Sequence, residues 1–291
     1  MNKKFCFTRL MALLLIIFTI LATGVACKDV EAEKPTDNTP LRVMSYNILN
    51  IEWANEQKTP ARDRVGYLKN IIDYYKPDVA GIQETCQEWH EAIESNILAN
   101  SDYAFACKST FNRTYNLTTI IYNTKKMKLV QEYVFELEQY SDGHVFAVAV
   151  FERLSDKKRF VFTNSHPMSL DFEGAAQQYE NLIRFAKSEM QKYEGLPFVM
   201  TGDFNAYDPS EIYNRLLSEI GVKDARHIAD KVDHGYMTFI GWPNGVCKEG
   251  KGIDHIFVNN NATVKLFDTV IDHDVEKVSD HVPIYADIIL K

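Results

Sequence analysis

Six places in this chain share one grammar, an apolar run giving way to a side chain that binds cations or moves protons. They are Asn47, Glu84, Asn164 with His166, Asp203 with Asn205, Asp254, and Asp280 with His281. One aspartate after a strand is commonly a turn or cap residue. Six such endings in one chain point instead to strand ends gathered at one place. Carboxylates brought that close together repel unless a cation sits among them. Oxygen donors without a cysteine or histidine cluster suit Mg²⁺, or Mn²⁺ as the alternative, rather than structural zinc. A hard cation of this kind accepts phosphate and water, so the chemistry implied is metal-assisted attack on phosphorus. Histidines beside carboxylates then acquire a role, because an acid fixes the imidazole's tautomer and the imidazolium stabilises charge or delivers a proton.

The elements that must position these groups are legible from pattern. Phe198 to Met200 reads as a buried strand that stops at Gly202-Asp203-Phe204-Asn205. Alternation along an extended chain puts Asp203 and Asn205 on the same side. Asp208-Pro209-Ser210-Glu211 predicts a helix start with Asp208 as N-cap, Pro209 at the first helical position and Glu211 three residues after the cap. Leu41–Asn47 and Val79–Glu84 read as strands, with an amphipathic helix over Ala61–Tyr75 between them and another over Glu88–Leu98 after them. Strands are then predicted at Tyr103–Cys107, Thr118–Tyr122, Leu129–Phe135, Val145–Phe151 and Phe160–His166, followed by a helix from about Glu173 to Lys192. Gly252–Val258 and the segment ending at Leu290 complete the strands. Helices alternating with hairpin-like strands give a mixed α/β class with much antiparallel pairing, and pattern alone leaves one sheet or two open.

Composition bounds the rest. At 291 residues and 46% hydrophobic content, the chain can bury a large core. Residues 1–26 run from basic (Lys3, Lys4, Arg9) through apolar (Leu10 to Leu21) to small, the order of an export signal. The small residues before Cys27 resemble a bacterial lipobox, although the usual leucine is not three positions before the cysteine. The expectation is a membrane-anchored lipoprotein lipidated at Cys27, with a periplasmic or secreted protein as the alternative. Residues 27–40 read as a polar tether, and the folded domain is expected over 41–291. Loss of residues 1–26 removes three positive charges and moves the formal charge from −8 to −11. Such an acidic body argues against a long nucleic-acid footprint. Cys86, Cys107 and Cys247 show no C-x-x-C spacing and read as thiols with at most one bridge.

Taken together and in order, Ser45-Tyr46-Asn47-Ile48, Gly81-Ile82-Gln83-Glu84, Thr163-Asn164-Ser165-His166, Gly202-Asp203-Phe204-Asn205, Ile253-Asp254-His255-Ile256-Phe257 and Ser279-Asp280-His281 resemble the endonuclease/exonuclease/phosphatase (DNase I-like) superfamily. The resemblance covers Leu41 to Lys291. It implies a four-layer α/β/β/α sandwich of two packed, largely antiparallel sheets, with the site at one end. It also implies roles: Glu84 with Asn47 and Asp280 would hold the metal, and Asp203 with Asn205 would position or activate the attacking water. His281, oriented by a carboxylate such as Asp254, would contact the phosphate, and His166 would serve the phosphate or the leaving group. Which acid pairs with which histidine stays open. Arg62, Arg64 and Asn116 occupy positions that can line the phosphate cleft, with surface positions the alternative. Thr238, Phe239 and Trp242 could flank a substrate group or simply pack. The function expected is an exported Mg²⁺-dependent phosphohydrolase acting as a monomer on a phosphomonoester or phosphodiester. The alternatives are a secreted nuclease and, from another class, a non-catalytic surface-binding lipoprotein.

Overall fold

The computed structural model describes residues 38–51, 60–108, 117–137, 144–241 and 252–291. Thirteen strands are described: β1 (Leu41–Asn47), β2 (Val79–Thr85), β3 (Tyr103–Ala106), β4 (Leu117–Asn123), β5 (Met127–Glu136), β6 (Val145–Arg153), β7 (Arg159–Ser165), β8 (Phe198–Asp203), β9 (Lys223–Asp224), β10 (Lys231–Val232), β11 (Asp254–Val258), β12 (Ala262–Thr269) and β13 (Ile284–Leu290). They form two sheets, one in the order β10-β12-β13-β1-β2-β4-β3 and one in the order β5-β6-β7-β8-β11-β9. Three pairs are parallel, β1 with β2, β7 with β8 and β10 with β12, and the rest are antiparallel.

The burial pattern shows why two sheets form. Nearly every residue of β6, β7 and β8 is buried, which requires cover on both faces of the strand. Three apolar clusters supply that cover. The middle one joins Val43, Ala286 and Ile288 of the first sheet to Phe151, Phe160 and Phe162 of the second, so the two sheets pack face to face. Another cluster packs the outer face of the first sheet (Met44, Tyr46, Ile82) under helix α1 (Ala61–Tyr75) and helix α2 (Gln87–Ile93). The third packs Phe146, Val161 and Met200 under helix α3 (Ala175–Lys192) and helix α4 (Glu211–Ile220). The result is the α/β/β/α sandwich.

Three local expectations change. Strand β8 ends at Asp203, and Asn205 takes a left-handed φ of 47°, so a turn rather than alternation aims its side chain. The cap of α4 is Ser210, whose hydroxyl accepts from the Tyr213 N–H, while the Asp208 carboxylate faces His227 at 2.6 Å instead. The helix over Glu88–Leu98 is α-helical only to Ile93 and continues as a π turn through Leu98. Strand β12 is an addition to the expected elements, although Ala262–Leu266 alternates apolar with polar as a half-buried strand does.

Candidate active site

The strand ends converge because of register. Asn47 closes β1 opposite Gln83, and Glu84 follows in β2 with a left-handed φ of 59°. On the other sheet, Ser165 pairs with Gly202, and Asp254 opens β11 directly across from Asp203. Gly202 has to be glycine, since a Cβ there meets the Ser165 carbonyl oxygen.

Asp203 is the centre. Its Oδ1 accepts from the Asn205 backbone N–H at 2.9 Å, and its Oδ2 accepts from Asn47 Nδ2 at 3.0 Å. The same Oδ2 lies 3.5 Å from His166 Nε2 and 3.6 Å from His281 Nε2. Burial pushes the Asp203 carboxyl up, but the two imidazoles and the two N–H donors outweigh it and hold the group below the usual aspartate range. His281 Nδ1 faces Asp254 Oδ2 at 2.8 Å, which answers the pairing the motifs left open. Burial pushes this imidazole down, yet Asp254 and Asp203 lift it to about 10. His281 is therefore cationic at neutral pH, with Nδ1–H given to Asp254 and Nε2–H facing the cleft. Asp254 is itself pushed up by burial and by the Asp203 charge, against the pull of His281. Thr238 Oγ1 accepts from the Ile253 and Asp254 N–H groups at 3.0 and 3.2 Å, fixing the start of β11.

Glu84 lies beside this centre, accepting from Asn47 Nδ2 at 2.8 Å and from the Asn50 N–H at 2.7 Å. The Asn47 amide is oriented by the Leu49 N–H, which its Oδ1 accepts at 3.0 Å, so its N–H groups face the acids. Asp280 lines the same cleft, its carboxyl pushed up by burial and by the charge of Glu84. Ligand atoms of Glu84, His166 and Asp203 lie within 4.8 Å of one another, as do those of Asp203, Asp254 and His281. With Glu84, Asp203 and Asp280 on its wall and no lysine or arginine among the described lining residues, the cleft has the donor set of a hard divalent cation.

The cleft encloses about 430 Å³. His144 joins its wall and faces the His166 carbonyl through Nδ1 at 2.6 Å. Met168, Phe172 and Tyr207 line it as well. None of these four was among the expected residues; for Phe172 the signal available was a large aromatic in the polar stretch after His166. Phe239 does flank the site, its ring 5.1 Å from that of His281. Asn164 does not face the cleft: it lies buried between the sheets, taking Gln83 Nε2 at 2.6 Å and donating to the Ile82 and Thr119 carbonyls. Arg62 is exposed and near Asp63. Arg64 is buried and bonds the Ile48, Leu49 and Val278 carbonyls, so it braces the site from behind instead of lining it. His255, beside Asp254, points the other way, between Asp224 Oδ2 and the Ala206 carbonyl at 2.9 Å each. Asn116, Trp242 and Cys247, and residues 1–37 with the export signal, Cys27 and most of the tether, lie outside the described residues.

Comparison with known proteins agrees with this fold. A structure of an endonuclease/exonuclease/phosphatase family protein from Bacteroides thetaiotaomicron is 22% identical with a TM-score of 0.75, covering 87% of this chain and 98% of that one. The mannosyl-6-phosphatase of the same organism is 21% identical with a TM-score of 0.72, over 86% and 100%. The human Nocturnin catalytic domain with bound sulfate is 19% identical with a TM-score of 0.65, over 87% and 94%. At these identities the likeness is one of fold. No curated protein matches the chain by sequence. Residues 44–281, from inside β1 to His281, match the model of the Endonuclease/Exonuclease/phosphatase family, and the chain belongs to that family.

Proposed function

We propose that this protein is a Mg²⁺-dependent phosphohydrolase that cleaves a phosphoester by attack of water. The observation that carries the reading is Asp203, ionised and buried, with the imidazoles of His166 and His281 on either side within 3.6 Å. Glu84 and Asp280 would hold the cation, while Asn47, expected as a ligand, turns its N–H groups to Glu84 and Asp203 and so orients the acids instead. When bound there, Mg²⁺ supplies charge neutralisation and polarisation of a phosphoryl oxygen. Asp203, kept unprotonated by its neighbours, is placed to orient the attacking water and accept its proton, with Asn205 and Asn47 fixing the carboxylate's direction. His281 presents Nε2–H to the phosphoryl oxygen on which charge builds, and Asp254 holds that ring in the required protonation state. His166, 3.3 Å from the Asn205 amide, is placed for the leaving-group oxygen.

Asp203→Asn and His281→Ala are each expected to abolish EDTA-sensitive phosphate release from a panel of phosphoesters while the thermal transition remains. Full activity in either variant removes the assignment. The family also contains nucleases, and plasmid cleavage with a steep salt dependence would favour that chemistry over a small ester. For export we infer lipidation at Cys27, from the order of residues 1–27. Cys27→Ala is then expected to move the protein from the membrane to the soluble fraction, and size-exclusion chromatography of the soluble form to give a monomer.

A further inference from the structure

Beside its acids and imidazoles, the cleft is lined by Leu49, Met168, Phe172, Tyr207, Phe239 and Ile253. Phe172 is 59% exposed and Tyr207 is 49% exposed, unusual for large rings that line one cleft. Their backbones are tied down. The Met168 N–H donates to Oε1 of the buried Gln178 at 2.9 Å, the Phe172 N–H to the Ser169 carbonyl at 3.0 Å, and the Ala175 N–H to the Phe172 carbonyl at 3.3 Å, which seats this loop on the start of α3. The Ser210 N–H donates to the Tyr207 carbonyl at 2.5 Å, which seats the second loop on the cap of α4. Two rings carried on anchored loops at the mouth of a catalytic cleft form a surface that a substrate, rather than the protein's own core, can cover.

Charge narrows what that substrate is. The described lining residues include Glu84, Asp203 and Asp280 but no lysine or arginine, so among them a second phosphate or a polyanionic backbone finds no fixed cation. We propose that Phe172 and Tyr207 are specificity-determining residues that select a phosphoester carrying one phosphate on an uncharged ring, laid with its apolar face against the two aromatic side chains. The shared chemistry is a flat apolar face, either the C–H face of a sugar or an aryl ring. This inference rests on the phosphohydrolase reading and deepens it.

The test uses the purified protein with Mg²⁺ and three probes: p-nitrophenyl phosphate, a hexopyranose 6-phosphate and glycerol 1-phosphate, the last having no ring. Comparing each probe with itself across variants cancels the intrinsic reactivity of its leaving group. Aromatic contacts of this kind contribute about 0.5–1.5 kcal/mol each, so Phe172→Ala with Tyr207→Ala is expected to lower the ratio of kcat/KM for a ring probe over glycerol 1-phosphate by about tenfold. Phe172→Trp with Tyr207→Phe is expected to keep the ratio. A fall confined to the aryl probe or to the sugar probe supports the proposal and says which ring is meant. A proportional change in all three probes, or an unchanged ratio, overturns it while Asp203-dependent release leaves the phosphohydrolase reading standing. Absence of Asp203-dependent release from every probe overturns both.

Discussion

Arg64→Lys is the substitution that best separates bracing from binding. The Arg64 side chain is 2% exposed and lies over the Trp89 ring at 4.7 Å. Nη1 donates to the Ile48 and Val278 carbonyls at 2.9 and 2.8 Å, and Nη2 to the Leu49 carbonyl at 3.0 Å, where Trp89 Nε1 also donates at 3.0 Å. One guanidinium thus joins the loop after Asn47 to the segment before Asp280 and His281. Burial pushes it down to about 10, so it stays charged at neutral pH. A lysine is a point charge without the planar fork and cannot serve three carbonyls from this position. Losing two bonds from a charged donor, at about 1.5 kcal/mol each at the low end, costs about 3 kcal/mol. In a domain of this size that is a fall in Tm of about 6–12 °C. Because the loops it joins carry Asn47 and Asp280, the Mg²⁺ concentration for half-maximal stabilisation is also expected to rise. Differential scanning fluorimetry over a Mg²⁺ titration reads both quantities. If Arg64→Lys keeps its Tm within about 2 °C and changes only KM, Arg64 is a cleft residue and the bracing argument is wrong.

Three further outcomes follow from the same contacts. Glu84→Gln keeps the shape but removes the charge, so the Mg²⁺-induced rise in Tm, about 2.7 kcal/mol of stability at a hundredfold excess over Kd, is expected to vanish; retention of that rise places the cation elsewhere. Gly202→Ala drives a Cβ into the Ser165 carbonyl across the β7–β8 pair, where backbone cannot yield cheaply, and is expected to cost more than about 3 kcal/mol and give insoluble protein, whereas Ser210→Ala, which loses one cap bond, is expected to cost about 1 kcal/mol in denaturant titration. His255 lies between two acceptors and so carries both ring protons; burial pushes its pKa down, but Asp224 outweighs this and the net shift is upward. A raised folded-state value means that the contribution is complete below the unfolded value of about 6.5 and is lost as pH rises through the folded one. Tm is expected to fall from neutral to alkaline pH, and His255→Gln to flatten that fall; an unchanged slope refutes the double protonation.

The sequence showed the strand ends most clearly because burial on both faces forces apolar runs that stop abruptly where the chain meets the cleft, as at Met200 to Asp203. It could not show which acid serves which histidine. Asp254 and His281 are 27 residues apart, and their pairing depends on the antiparallel register of β8 with β11 and on the loop that leads into β13. Arg64 was legible as a cation near the first helix but not as a buried one, because its partner at Val278 is 214 residues away. Asp208 and Ser210 are both good cap residues by type, and it takes the structure to show that the Ser210 hydroxyl accepts the Tyr213 N–H while Asp208 faces His227. The aromatic rim was missed because exposed phenylalanine and tyrosine have no periodicity; their meaning comes from the cavity they share.

The spacing between the sheets is what turns separate strand ends into a site. Facing sheets normally stand about 10 Å apart, filled by side chains from both. At Gly81 that filling is absent on one side, and a Cβ there would collide with Asn164 and Thr201 of the opposite sheet. Asn164 uses the room to bond Gln83, Ile82 and Thr119 of the first sheet, with Thr201 alongside it at 3.3 Å. This polar layer draws β2 toward β7 and β8 one step behind the cleft. In the next layer Asn47 of the first sheet can then span Glu84 of its own sheet and Asp203 of the other, at 2.8 and 3.0 Å. The glycine, the buried asparagine and the bridging amide are thus one device that joins the polar ends of the two sheets.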